Sequence, residues 1–229
     1  MKKIVILFLL LNTILISMTL NKEEFKRIKN ACNIGDSSSC ITVGTVYYNG
    51  MGIKKDHTKA FEYYQKGCSL NNLHGCTLVG ESFLFGEGVE QNYLKAVKNF
   101  ERSCNGGISF ACQSLGYMYF KGEGIQLNLV KAFEYYEKAC DRGAIESCQF
   151  LGYRYAEGDS VKKDNSKAVK YFQKACDGGI ATSCSYLGSL HYKGEIVEKN
   201  HIKAKELFKK GCDLKDQDAC MIYKEMNKR

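Results

Sequence analysis

The chain has 229 residues, of which 45% are hydrophobic and 25% are charged. These proportions are typical of globular proteins and exclude a fully disordered chain and a polytopic membrane protein. The net charge of +8 is a mild excess. Because it is spread along the whole chain, no nucleic-acid partner is predicted.

The first segment, residues 1–19, has the pattern of a secretory signal peptide. Two lysines follow Met1, and an apolar run at residues 4–11 resumes after two polar residues. An uncleaved anchor is the alternative, since residues 4–20 just reach the length of a membrane span. The leader pattern favours cleavage, although the cleavage site is not sharply marked. We therefore predict a secreted or periplasmic protein with no stable membrane insertion after cleavage.

Twelve cysteines divide the rest of the chain into equal steps. They form two sets, each with a spacing of 36 residues, and the second set follows the first by eight residues. A fixed period of this length is typical of helical-hairpin solenoids. Since the period is uninterrupted, residues 20–229 are predicted to form one all-α solenoid. The first set is Cys32, Cys68, Cys104, Cys140, Cys176 and Cys212, and the second is Cys40, Cys76, Cys112, Cys148, Cys184 and Cys220.

Each repeat is predicted to contain two helices joined by a glycine loop. Apolar residues from Cys112 onwards recur at the spacing of one helix face, and Gly122 and Gly124 then interrupt the pattern. Asn128 is a favourable N-cap for the second helix, and Gly143 can end it in the left-handed conformation. The predicted elements are a single helix at 22–33, five hairpins at about 37–213 and a closing helix at 217–228.

The repeats resemble the Sel-like repeat, a relative of the tetratricopeptide repeat. Cysteines stand where that repeat usually has alanines, and this feature resembles the Helicobacter cysteine-rich protein family. The resemblance covers essentially the whole mature chain. It implies an exported α-solenoid, and it implies penicillin binding or β-lactam hydrolysis, because members are often named β-lactamases. The residues that carry it are Leu115-Gly116, Tyr119, Gly122, Gly124, Lys131-Ala132, Tyr136 and Lys138-Ala139, and the pattern recurs about five times.

Two disulfide pairings would keep every bridge local. Cys68 could pair with Cys76, eight positions away, or with Cys40 inside one hairpin. The second scheme would leave Cys32 and Cys220 unpaired, whereas the eight-residue scheme uses all twelve cysteines. We therefore predict a disulfide at each repeat junction, each contributing about 2.5 kcal/mol by closing a loop of about nine residues.

Peptide mapping under non-reducing conditions should yield six cross-linked pairs, from Cys32–Cys40 through to Cys212–Cys220. Several free thiols per chain, or a Cys40–Cys68 linkage, would contradict this framework.

No catalytic residue, metal site or cofactor is predicted. Cysteine gaps of seven residues and only four histidines do not fit a structural zinc site, and no Cys-x-x-Cys motif supports redox catalysis. Ser160 and Lys163 match the Ser-x-x-Lys motif of serine β-lactamases, but the companion motifs are absent. A β-lactam hydrolase or penicillin-binding protein is thus an alternative function that the resemblance alone implies.

The predicted binding site is a groove formed by the first helices, which line the inner face of such solenoids. Their inward positions vary from repeat to repeat, which suits recognition of a protein, peptide or peptidoglycan fragment by a monomer. The alternative is a solvated face with no partner. Tyr117 and Tyr153 are expected to form a central patch from which Arg154 points away, and Tyr153→Ala is expected to cost little stability. The predicted groove residues are Glu81, Gln113, Tyr117, Phe120, Gln149, Tyr153 and Ser189.

Overall fold

A computed structural model describes residues 21–194 and 196–228, so the predicted leader at residues 1–19 lies outside the described part. Within these ranges there are twelve α-helices and no strands. None of the described helices combines the length and the hydrophobicity needed to cross a membrane. The residues form two compact units, the first ending at Ile108 and the second beginning at Ser109. The predicted all-α repeat fold is confirmed.

The first unit consists of a single helix and two helical hairpins. Helix α1 is Lys22–Asn33. Helices α2 (Ser37–Asn49) and α3 (His57–Ser69) form the first hairpin. Helices α4 (Leu73–Phe85) and α5 (Tyr93–Asn105) form the second.

The second unit consists of three hairpins and a closing helix. The closing helix ends at Met226, two residues before the predicted end at 228. The helices are α6 (Ser109–Lys121), α7 (Leu129–Asp141), α8 (Ile145–Glu157), α9 (Asn165–Asp177), α10 (Ala181–Lys193), α11 (His201–Asp213) and α12 (Gln217–Met226).

The helix boundaries follow from local capping chemistry. Asn128 is the N-cap of α7, as predicted, because its side-chain oxygen accepts a hydrogen bond from the Lys131 backbone N–H at 3.0 Å. Gly143 follows α7 with φ +91°, the left-handed conformation predicted for it. The first helix of a repeat ends in the same way, for example at Gly158 with φ +76° after α8. These caps provide hydrogen-bonding partners for backbone groups at both helix ends.

Each hairpin is held together by an aromatic ring packed on a glycine. Phe172 of α9 is 0% exposed and lies against Gly152 of α8. A Cβ atom at Gly152 would come within 2.9 Å of the Phe172 ring, so only glycine allows the two helices to approach this closely. The same relationship joins Gly44 to Tyr64, Gly80 to Phe100, Gly116 to Tyr136 and Gly188 to Phe208.

Disulfides connect the second helix of one repeat to the first helix of the next. Small residues permit the close approach, since a Cβ atom at Gly75 would lie 2.8 Å from the Cys68 backbone nitrogen. Cys104 and Cys112 are also disulfide-bonded, and no cysteine is free. The predicted junction disulfides are confirmed. The Cα–Cα distances are 4.7 Å for Cys32–Cys40, 4.6 Å for Cys68–Cys76, 4.8 Å for Cys140–Cys148, 4.7 Å for Cys176–Cys184 and 4.5 Å for Cys212–Cys220.

Candidate functional site

The predicted groove residues of the second unit differ in how freely they can meet a ligand. Tyr117 on α6 is 46% exposed, and Gln113, one helical turn earlier, is half-buried. Gln149 on α8 is also half-buried, and its amide nitrogen donates to the Thr182 hydroxyl at 2.8 Å. Among the aromatic groove residues, Tyr117 is therefore the most exposed to solvent.

Tyr153 is more deeply packed than the sequence predicts. Its ring meets Phe172 edge-to-face with centroids 4.9 Å apart, and it meets Tyr186 at 5.9 Å. Truncating Tyr153 would remove contacts with a fully buried ring. From these contacts we expect Tyr153→Ala to destabilise the fold, rather than to cost little as the sequence alone suggests.

Two other predicted groove residues have internal partners. Phe120 packs edge-to-face on Phe150, with centroids 5.2 Å apart, and belongs to the edge of the hydrophobic core. The Ser189 hydroxyl donates to the Ser185 carbonyl oxygen, 3.1 Å away and one turn earlier on α10. Phe120 therefore packs against the hydrophobic core and does not offer a free ring face to a ligand.

Arg154, which is predicted to point away from the tyrosine patch, contacts a ring on its own helix and an acidic residue of the following loop. Its guanidinium lies over the Phe150 ring, 5.3 Å from the centroid, and forms an ion pair with Asp159 at 2.6 Å. Burial raises the pKa of Tyr136, and the neighbouring Tyr117 raises it further, while Arg154 lowers it.

A cavity of about 490 Å³ opens between the first helices of the first unit, α2 and α4. Glu81, the predicted groove residue of this unit, lies in its wall with a half-buried side chain. Glu87, from the loop after α4, also lines it. The other lining residues are Thr45, Tyr48, Asn49, Tyr64, Leu78, Ser82 and Phe85.

The second unit contains a corresponding cavity of about 480 Å³, four repeats further along the chain. Tyr192 and Glu225 occupy the repeat positions of Tyr48 and Glu81. A tyrosine–histidine contact also recurs, with ring centroids 4.8 Å apart for Tyr48–His57 and 5.0 Å for Tyr192–His201. The other residues lining the second cavity are Ser189, Lys193, Phe208, Ile222 and Met226.

The repeat position two residues after the second cysteine differs between these cavities and two repeats of the second unit. At the two cavities this position is aliphatic, Leu78 and Ile222. In the central repeats of the second unit it is aromatic. Phe150 packs on Tyr136, and Tyr186 packs on Phe172, both with centroids 4.3 Å apart. Across the six repeats this position holds Thr42, Leu78, Ser114, Phe150, Tyr186 and Ile222, so its variation is visible in the sequence.

The cavity of the first unit has an acidic wall. The Tyr48 hydroxyl donates to the Glu87 carboxylate at 2.8 Å, which raises the pKa of Tyr48. Burial raises the pKa of Glu81, and repulsion from Glu87 raises it further. The Lys55 ammonium lies over the Tyr48 ring, 5.6 Å from its centroid. No ion pair to either carboxylate occurs in the described ranges.

The charge on Glu81 should destabilise the fold at neutral pH. Because its folded-state pKa lies above the usual value, the protonated form stabilises the folded chain, and this contribution is lost as the pH rises through the raised pKa. We therefore expect Glu81→Gln to raise Tm by about 1–3 °C at pH 7 and to leave it unchanged at pH 4. Scanning calorimetry at both pH values measures the difference.

The matched control is Glu62→Gln, which removes the same charge from an exposed position on α3. Its effect on Tm should be close to zero at both pH values. An equal rise in both variants at pH 7 would mean that overall charge, rather than the environment of Glu81, controls the result.

The structure adds no support for a catalytic or metal centre. Ser160 and Lys163 lie in the non-helical loop that follows α8, not on one helical turn. Among the described residues, no group of three or more His, Cys, Asp or Glu side chains could hold a metal ion. The β-lactamase interpretation therefore still rests on resemblance alone.

The sequence profile of the Sel1 repeat matches the chain five times, at residues 37–72, 73–108, 109–143, 145–180 and 181–216. The first boundary between repeats, 72 to 73, falls in the turn between α3 and α4, and the later ones fall between corresponding helices. No curated protein matches the chain at a significant level.

Several solved structures resemble the chain. A protective antigen present in uropathogenic Escherichia coli strains, c5321, is 26% identical with a TM-score of 0.76, and the match covers 86% of this chain and 42% of that protein. A Sel1 repeat protein from Oxalobacter formigenes is 24% identical with a TM-score of 0.68, covering 87% of this chain and 86% of that one. Helicobacter pylori cysteine rich protein B is 36% identical with a TM-score of 0.44, covering 58% of this chain and 95% of that one.

The E. coli antigen shows the same repeat fold in a longer chain, of which this protein spans less than half the length. The five profile matches together extend over most of the sequence, from residue 37 to residue 216. The described hairpins and junction disulfides agree with those matches in position and period. This chain belongs to the Sel1 repeat family.

Proposed function

We propose that this protein is an extracytoplasmic binding scaffold, which captures an extended peptide segment on the first helices of its second unit. Sel1 repeats generally mediate protein interactions. The disulfides indicate an oxidising, extracytoplasmic location. Removal of the leader remains a prediction, which N-terminal sequencing of the mature protein checks.

The observation that carries the proposal is the exposed side chain of Tyr117 on a well-packed helix. Tyr117 is 46% exposed, and the preceding residue, Gly116, packs on the buried Tyr136 ring. An exposed tyrosine on a rigid helix offers a large amphipathic surface at little cost in conformational entropy. Gln113, one turn away, adds an amide that can hydrogen-bond to a peptide backbone.

Tyr117→Ala should weaken binding of a selected peptide by about 1–3 kcal/mol, the usual cost of truncating an aromatic anchor, while changing Tm by less than about 2 °C. The probe is a peptide selected from a random display library on the oxidised full-length chain. Isothermal titration measures its affinity for each variant.

Val130→Ala is the matched control, because Val130 is 71% exposed on a second helix and should leave the affinity unchanged. Tyr153→Ala should lower both affinity and Tm, since that ring packs on Phe172. Selected peptides that bind the Tyr117→Ala variant as well as the parent would overturn the proposal. So would a failure to select any peptide while muropeptide fragments bind.

A chromogenic β-lactam belongs in the same assay series. No structural observation favours turnover, and Ser160→Ala should not change any that is measured. Loss of turnover in that variant at an unchanged Tm would establish the hydrolase interpretation.

A further inference from the structure

We propose that the cavity of the first unit is a recognition site for an organic cation, the ammonium or guanidinium group of a lysine or arginine side chain in a peptide partner. The site lies in the first unit, whereas the surface around Tyr117 lies in the second, and the two share no residues. It therefore does not depend on the proposed function.

The shape and lining of the cavity suit one long basic side chain. Its volume of about 490 Å³ exceeds what a single methylene stem with a charged head requires. Leu78 and the 65%-exposed ring of Phe85 provide apolar contacts near the opening for the stem. Tyr48 and Tyr64 add aromatic rings to the wall; Tyr64 is 4% exposed, and the Lys55 ammonium lies 5.6 Å from the Tyr48 centroid.

The charge of the cavity selects a cation over a neutral or anionic group. Glu81 and Glu87 both line it, and neither has a cationic partner within the described part of the chain. A half-buried carboxylate with no counter-charge is costly, and a bound cation would remove that cost. The hydrogen bond from Tyr48 fixes the orientation of Glu87 before any ligand arrives.

The recurrence of the arrangement in the second unit is an independent reason to regard it as a built feature. Glu225 stands at the repeat position of Glu81, and the Tyr192–His201 contact repeats Tyr48–His57. That second cavity has one lining carboxylate and one lining ammonium, Lys193. Its attraction for a cation should be weaker, so the first-unit cavity is the site to test.

The test is an NMR titration of the oxidised full-length chain with acetyl-Ala-Lys-Ala-amide and acetyl-Ala-Arg-Ala-amide. The neutral comparison peptide contains Gln in place of the basic residue. We expect the basic peptides to shift the amide resonances of Glu81 and Glu87, with affinity that falls as salt is added. The Gln peptide should leave these resonances unchanged.

Glu81→Gln and Glu87→Gln should each weaken binding of the lysine peptide by about tenfold, because each removes one charged partner. Glu62→Gln on the exposed face of α3 is the matched control and should bind like the parent. Using two variants keeps the test decisive if one of them folds poorly.

Equal binding of the Gln peptide, or affinities of both pocket variants within about twofold of the control, would overturn the proposal. Tyr117→Ala should leave the lysine-peptide titration unchanged. This variant therefore distinguishes a failure of the cation site from a failure of the peptide surface in the second unit.

Discussion

Reduction of the disulfides should unfold most of the chain at 37 °C. Each junction bridge closes a loop of about nine residues and contributes about 2.5 kcal/mol by restricting the unfolded chain. Together the junction bridges would supply an amount comparable with the whole stability of an ordinary domain, about 5–15 kcal/mol. Circular dichroism melts with and without a phosphine reductant measure the effect.

The graded version of this experiment is Cys140→Ala with Cys148→Ala, which removes a single bridge. Alanine is the appropriate replacement, since the Sel-like pattern usually has alanine at these repeat positions. We expect Tm to fall by about 5–10 °C with the helical spectrum preserved. A fully reduced chain that melts within a few degrees of the oxidised one would show that helix packing alone stabilises the fold.

Phe172→Ala should be the most damaging single substitution among the aromatic residues of the second unit. Phe172 is completely buried and contacts Gly152, Tyr153 and Tyr186. Replacement leaves a cavity that the rigid hairpin cannot close, at a cost of about 3–5 kcal/mol. Urea denaturation followed by circular dichroism measures the loss.

Phe85→Ala is the matched control for this substitution, since Phe85 is 65% exposed and its removal should cost less than about 0.5 kcal/mol. The two variants lose the same group from different environments. Equal losses would contradict the packing account of the hairpin.

The fold was predictable because its determinants are periodic and local. Cysteines 36 residues apart, Asn128 at a helix start and Gly143 at a helix end each act within a few residues of their position. Spacing along the sequence therefore translates directly into helices, turns and junctions. No long-range pairing had to be inferred.

The candidate site was less predictable, because it depends on contacts between repeats. Tyr117 and Tyr153 occupy the same repeat position, yet only Tyr153 packs against a ring from the following repeat, Tyr186. Helix angle predicts the face on which a residue lies but not the neighbour that will cover it. The same holds two residues after the second cysteine, where Leu78 lines a cavity and Phe150 packs on Tyr136.

The pairing of each cysteine with its neighbour in the sequence has a consequence for biosynthesis. In Cys32–Cys40, for example, the first cysteine of a repeat junction bonds to the very next cysteine along the chain, eight positions later, and the same holds for Cys68–Cys76, Cys140–Cys148, Cys176–Cys184 and Cys212–Cys220. When the chain is exported with its amino terminus first, both cysteines of one pair reach the oxidising compartment before the next pair does. Oxidation in order of emergence thus yields these native bonds directly, so their formation requires no reshuffling by an isomerase.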